Sequence, residues 1–331
     1  MTEAALERLR DARGFIFDMD GTLALGDRVN HGLRPLPGAV DMLAWVRDRR
    51  LPYVVFTNGT NRSPRHFASV LRDAGLDVPD ARMMTPATSA AEMFAKRGYR
   101  RIMLLGGDGL AGPLREAGFE VVAPEGSPAG VDAVLAGWFR EFTMDHLEAA
   151  CRAVWAGAAL YSASQTPFFA AAGGRALGTS RAISAMIRSI TGCPLAVTGK
   201  PSLGALRAAA SRLGVRPLSR LVVVGDDPLL EVPMAHRGRA LAVAVGTGLG
   251  GPDAYDHLPP GRRPHLNLRG VDELLSLCQR QPRPAEPGKR EDPAPGRRLR
   301  SVLARGIPED TDKNEGVRHG HNARRWLHGV R

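Results

Sequence analysis

Two carboxylates open the chemical reading. The stretch Phe15-Ile16-Phe17-Asp18-Met19-Asp20-Gly21-Thr22-Leu23 runs from an apolar segment straight into acids spaced i, i+2. In extended chain that spacing puts both side chains on the same side. They would emerge at the carboxyl end of a parallel strand, where open α/β sheets place ligands. Gly21 permits a tight turn directly after them. Such a pair can divide labour. One carboxylate can attack phosphorus and form an aspartyl-phosphate. The other can protonate the leaving oxygen and then activate water. A magnesium ion would shield the attacking carboxylate from the charge on the phosphate.

The elements that must hold these residues alternate between strand and helix patterns, which predicts an α/β fold with a largely parallel sheet. Strands are expected over 14–19, 52–56, 102–105, 131–135, 159–162, 220–224 and 240–245. Helices are expected over 37–50, 63–74, 108–117, 143–155, 203–213 and 228–237. Ser63 followed by Pro64 reads as a cap and first-turn pair, and Thr143 as a cap. From residue 281 the chain turns Pro-rich and charged with few apolar residues, the composition of a disordered tail.

The four-residue apolar run ending in Asp-x-Asp-Gly-Thr resembles the first signature of the haloacid dehalogenase superfamily. Three later segments resemble the others, in order. Phe56-Thr57-Asn58-Gly59 follows a short strand, Gly199-Lys200-Pro201-Ser202 precedes a helix, and Val224-Gly225-Asp226-Asp227 closes an apolar strand. The resemblance implies that the Thr57 hydroxyl and the Asn58 backbone amide hold the phosphoryl group. It implies that Asp18 is the nucleophile and Asp20 the acid and then base, that Lys200 neutralises nucleophile and phosphate, and that Asp226 joins Asp18 and Asp20 in binding Mg2+. The long insert between Thr57 and Lys200 is similar to the α/β cap of the NagD or p-nitrophenyl phosphatase-like group. The implied fold is a Rossmann-like parallel-sheet core with an inserted α/β cap. Its divisions would be 1–83 for the first part of the core, 84–195 for the cap, 196–280 for the second part, and 281–331 for the tail.

Two departures stand out. The family usually carries a second Asp five residues after Asp226, where this chain has Glu231. A longer carboxylate there can order a magnesium-bound water from a different geometry, and Asp227 could substitute in part. Related caps often carry an Asn-Pro-Asp-like segment after the strand at 159–162. Here Ser164-Gln165-Thr166-Pro167-Phe168-Phe169 follows, so Gln165 and Thr166 become the candidates for substrate contact.

Composition restricts the partners. The 331 residues are 44% hydrophobic and 24% charged, with a formal net charge of +11. That balance suits a globular domain and the steering of small anionic substrates. No nucleic-acid recognition motif accompanies the positive charge, and no apolar run reaches membrane-spanning length. Cys151, Cys193 and Cys278 show neither disulfide nor zinc spacing. The expected protein is a cytoplasmic magnesium-dependent phosphatase of small phosphorylated metabolites, with a homodimer implied by the resemblance alone. The alternative from another class is a phosphometabolite-binding or regulatory protein that keeps the fold with weakened turnover. Glu231 and the irregular cap motivate it.

Overall fold

The structure is a computed structural model of the chain. It describes residues 2–26, 32–127, 129–171, 174–248, 251 and 253–280. The expected tail at 281–331 lies outside the described residues. The described residues fall within one compact unit.

Two parallel sheets organise this unit. The larger has six strands in the order Leu266–Leu268, Leu241–Val245, Leu221–Gly225, Gly14–Phe17, Tyr53–Phe56 and Met83–Met84. All its neighbours run parallel. The Gly14–Phe17 strand lies inside it, with Phe17 beside Val224 on one flank and Val55 on the other. The smaller sheet has five parallel strands in the order Leu195–Val197, Ala159–Ser162, Ala133–Ala136, Arg101–Leu105 and Glu120–Val122.

Helices cover both faces of each sheet, so the central strands are apolar on both sides and read as continuous hydrophobic runs. Alternation along a strand separates the two faces. Phe15 and Phe17 pack with Val222 and Val224 against helices Ala39–Asp48, Pro64–Asp73 and Val271–Arg280. Ile16 and Val223 pack on the other face against helices Leu203–Leu213 and Glu231–Gly238. In the smaller sheet, Ile102, Leu104 and Leu135 meet helices Pro86–Ala95 and Asp108–Glu116. Met103, Leu105 and Val134 meet helices Met144–Trp155 and Thr179–Thr191.

Local signals explain where several helices start. Ser63 Oγ accepts the His66 amide at 3.2 Å, directly before Pro64. Thr143 Oγ1 accepts the His146 amide, and His146 Nδ1 accepts the Thr143 amide at 3.1 Å, a reciprocal cap. One expectation needs correcting. The helix expected from Pro228 begins at Glu231. Asp227 Oδ1 accepts the Leu229 amide at 2.7 Å and the Asp227 carbonyl accepts the Leu230 amide, so these residues form a turn first. An aspartate that bonds the backbone two residues on competes with helical pairing in this way.

Candidate active site

Asp18 follows the last residue of the Gly14–Phe17 strand. Its amide donates to the Val224 carbonyl at 2.8 Å, carrying the ladder one step past the strand. Its carboxylate is therefore delivered at the carboxyl end of the sheet, beside the end of the Leu221–Gly225 strand that delivers Asp226. The chain then reverses at Gly21, whose φ is +79°. A Cβ on Gly21 would meet Asp226 Oδ2 at 2.5 Å and the Gly248 Cα at 2.8 Å. A Cβ on Gly248 would also overlap the Asp226 carboxylate. Both loops come this close to Asp226 because they carry no side chain there.

Lys200 is the centre of charge. Its side chain is 1% exposed and its Nζ pairs with Asp18 Oδ1 and with Glu231 Oε1, the latter at 2.6 Å. Burial lowers the ammonium's pKa, but Asp18 and Glu231 more than offset that and hold it above the usual lysine value. Thr22 Oγ1 donates to the other Asp18 oxygen at 3.4 Å.

Asp20 is placed differently. It is exposed to solvent as a residue, yet its carboxyl bears a desolvation cost. Desolvation there, then the charge of Asp18, then that of Asp226 push its carboxyl up to about 7; Lys200 and a Thr57 hydrogen bond act the other way. Glu231 is buried completely, and burial raises its pKa against the pull of Lys200. Asp18, Asp20, Asp226 and Glu231 thus share a single ammonium. Proton retention on Asp20 and Glu231 relieves the surplus of negative charge.

The residues of the phosphate loop come to the same place. Thr57 is buried, and its Oγ1 accepts the Gly59 amide at 3.1 Å. The Asn58 side chain is bonded to the Lys200 main chain. Asp227 stands at the rim as the cap of its own turn, with its pKa raised mainly by burial. Among the described residues, Gln165 and Thr166 bond to neighbours other than this cluster. The Gln165 amide donates to Ser162 Oγ at 2.8 Å and Ser184 Oγ at 3.1 Å, and Thr166 Oγ1 accepts the Ser164 hydroxyl at 3.1 Å. All three bonds stay within the smaller-sheet layer.

Comparison with known proteins shows the family. The profile of the haloacid dehalogenase-like hydrolase family matches residues 15–120, and a second profile of the same kind of hydrolase matches residues 197–274. The first match holds Asp18, Asp20 and Thr57; the second holds Lys200 and Asp226. The chain is a haloacid dehalogenase-like hydrolase. Within that family it belongs to the NagD and p-nitrophenyl phosphatase-like group of phosphatases. It is 26% identical over 251 residues to the ribonucleotide monophosphatase NagD of Escherichia coli K12, covering 75% of this chain and 92% of NagD. The 4-nitrophenylphosphatase structure from Thermotoga maritima superposes with a TM-score of 0.70 at 26% identity, over 81% of this chain and 98% of that one. A glycerol phosphate phosphatase from Mycobacterium tuberculosis, solved with magnesium, superposes with a TM-score of 0.66 at 27% identity, over 78% and 74%.

Sequence reasoning about this hydrolase did not single out Thr22, and it assigned Asn58 and Glu231 without the contacts their side chains make. Thr22 reaches Asp18 from the turn, and the Asp-Gly-Thr run carried that signal. The Asn58 carboxamide, rather than its amide alone, has a partner. Glu231 meets Lys200 directly, which the spacing from Asp226 does not announce. Among the described residues no helix is long and apolar enough to cross a membrane.

The donor chemistry fits a hard divalent cation: Asp18, Asp20 and Asp226 are oxygen donors in a site with excess negative charge. Among the described residues no three acidic, histidine or cysteine side chains already stand together at ligating distances. Lys200 holds Asp18 and Thr57 holds Asp20 instead.

Proposed function

We propose that this phosphatase hydrolyses small phosphomonoesters with a divalent ion, using Asp18 as nucleophile and Asp20 as acid and then base. One observation carries the reading. Two carboxyls two residues apart sit in opposite environments: Asp18 is ion-paired with a buried lysine, and Asp20 holds its proton up to about 7. That separation is what a nucleophile and a general acid require.

In the first step an Asp18 oxygen forms a bond to phosphorus while the bond from phosphorus to the ester oxygen breaks. The leaving oxygen takes the Asp20 proton. In the second step a water oxygen attacks phosphorus and gives its proton to Asp20. The bond from Asp18 to phosphorus breaks, releasing inorganic phosphate. The Thr57 hydroxyl, the Asn58 amide and the Lys200 ammonium would stabilise charge on the transferring oxygens. Asp18, Asp20 and Asp226 would hold magnesium, which supplies positive charge to offset repulsion between Asp18 and the phosphate. Glu231, paired with Lys200, would act through that lysine, with Asp227 outside the ligand set.

Residues 84–195 would serve as the cap, with Gln165 and Thr166 on the loop after its strand Ala159–Ser162. The substrates this reading favours are small phosphorylated metabolites. Glycerol phosphate and ribonucleoside monophosphates come first, because the relatives' names specify them. A phosphate-release screen with magnesium over these esters and an aryl phosphate, with Asp18→Asn alongside, tests it. Turnover that disappears in the variant supports the reading. No turnover above the variant on any ester, with other divalent ions tried, defeats it in favour of a binding protein.

A further inference from the structure

The Asn58 carboxamide makes two hydrogen bonds to one residue 142 positions away. Its Nδ2 donates to the Lys200 carbonyl at 3.0 Å, and the Lys200 amide donates to its Oδ1 at 2.8 Å. A carboxamide that grips both the N–H and the C=O of one residue fixes orientation as well as distance, because both bonds must be satisfied together.

The neighbouring residues are shaped around this grip. A Cβ on Gly199 would lie 2.6 Å from Asn58 Oδ1 and would overlap the Ala163 carbonyl. Only glycine admits both approaches. On the other side of Gly199, the Thr198 amide donates to the Ser162 carbonyl at 2.9 Å, continuing the smaller sheet. Ser89 Oγ donates to the Thr198 carbonyl. Residues 198–200 are therefore tied to the smaller sheet on one side and to the phosphate loop on the other. The buried Lys200 side chain starts from this fixed point and ends between Asp18 and Glu231.

We propose that the Asn58 side chain is a positioning residue for Lys200, clasping its main chain so that the ammonium meets Asp18. The proposal rests on the reading of Lys200 as the group that neutralises charge in phosphoryl transfer. It adds a role that the Asn58 backbone amide does not have. Losing the clasp leaves the Lys200 main chain free to drift. Displacement of a catalytic group by about 1 Å costs on the order of 10²-fold in rate.

The test uses the full-length protein with magnesium and an aryl phosphate, comparing Asn58→Ala, Asn58→Asp and Lys200→Met. Steady-state kinetics are measured together with hydrogen exchange at the Lys200 amide by NMR. Asn58→Ala should lower kcat by about 10²-fold with KM changed less than about threefold. Its Lys200 amide should exchange at least about tenfold faster, with amides of the Leu221–Gly225 strand unchanged. Asn58→Asp keeps an acceptor for the Lys200 amide and loses the donor to its carbonyl. It should retain most of the protection and show an intermediate kcat. If strand amides show that the alanine variant is unfolded, the aspartate variant carries the comparison. Wild-type kcat or wild-type Lys200 exchange in Asn58→Ala overturns the clasp, as does Asn58→Asp exchanging without any protection. Lys200→Met keeps the two ideas apart. Full turnover in that variant removes the assigned role of Lys200, while the exchange data still judge the clasp.

Discussion

Glu231 Oε1 lies 2.6 Å from Lys200 Nζ, and neither side chain reaches solvent. Glu231 opens its helix, where a carboxylate also faces the positive end of the helix dipole. Its Oε2 accepts the Asp227 amide at 3.3 Å. The space it fills exists because residue 225 is glycine: a Cβ there would overlap the Glu231 Cγ and lie close to its carboxyl.

This fit predicts a coupled pair of substitutions. Gly225→Ala forces Glu231 to move and should cost about 1–3 kcal/mol of stability, the usual range for overpacking a core. In a Glu231→Ala background the added methyl finds room, and most of that cost should vanish. Urea denaturation of the two single variants and the double variant would measure the coupling. Simple additivity would mean that the glycine does not make room for Glu231.

The nucleophile assignment makes a sharper demand. Asp18→Asn keeps the size of the side chain and removes its negative charge. It should lower kcat by at least about 10³-fold, since an amide cannot form the aspartyl-phosphate. Circular dichroism should show the fold intact. Residual turnover within tenfold of wild type would move the nucleophile elsewhere.

Asp20 links the site to pH. Its carboxyl is pushed up to about 7 from an ordinary 3.8. Between roughly pH 4 and 7 the folded chain keeps a proton there that the unfolded chain has lost, so this group's contribution to stability declines as pH rises through that window. Above it, the folded protein carries a badly placed charge. Asp20→Asn removes that charge. In metal-free buffer the melting temperature of the variant, relative to wild type, should therefore increase from pH 5 to pH 8. A difference that stays constant with pH would mean that Asp20 titrates normally.

The surplus of carboxylates predicts a response to ions. Chelation should abolish phosphate release, and added magnesium should restore it. Magnesium should also raise the melting temperature, by the equivalent of about 2.7 kcal/mol at 100 times its dissociation constant. Asp226→Ala should remove that shift. A shift unchanged in Asp226→Ala would place the ion elsewhere.

Features that depend on neighbours along the chain were legible in the residues alone. Three of the apolar runs that form buried strands end in the polar residues the chemistry needs: Asp18 and Asp20, Thr57, and Asp226. Helix starts at Ser63 and Thr143 were equally local, because a cap bonds an amide within one turn. The start at Glu231 was less legible, since the Asp227 side chain competes for the same backbone over a few residues. Tertiary structure decided which of those ends lie together and which way each side chain turns. Asn58 and Lys200 are distant in sequence and meet because the smaller sheet returns the chain to the larger one at Thr198. The Glu231 carboxylate meets Lys200 because Gly225 leaves a space that only the packed strand and helix define. The Gln165 amide turns to Ser162 and Ser184 because those hydroxyls stand beside it in the folded layer. Partners of this kind are chosen by long-range packing and by the burial of charge, and neither is written in the spacing of residues along the chain.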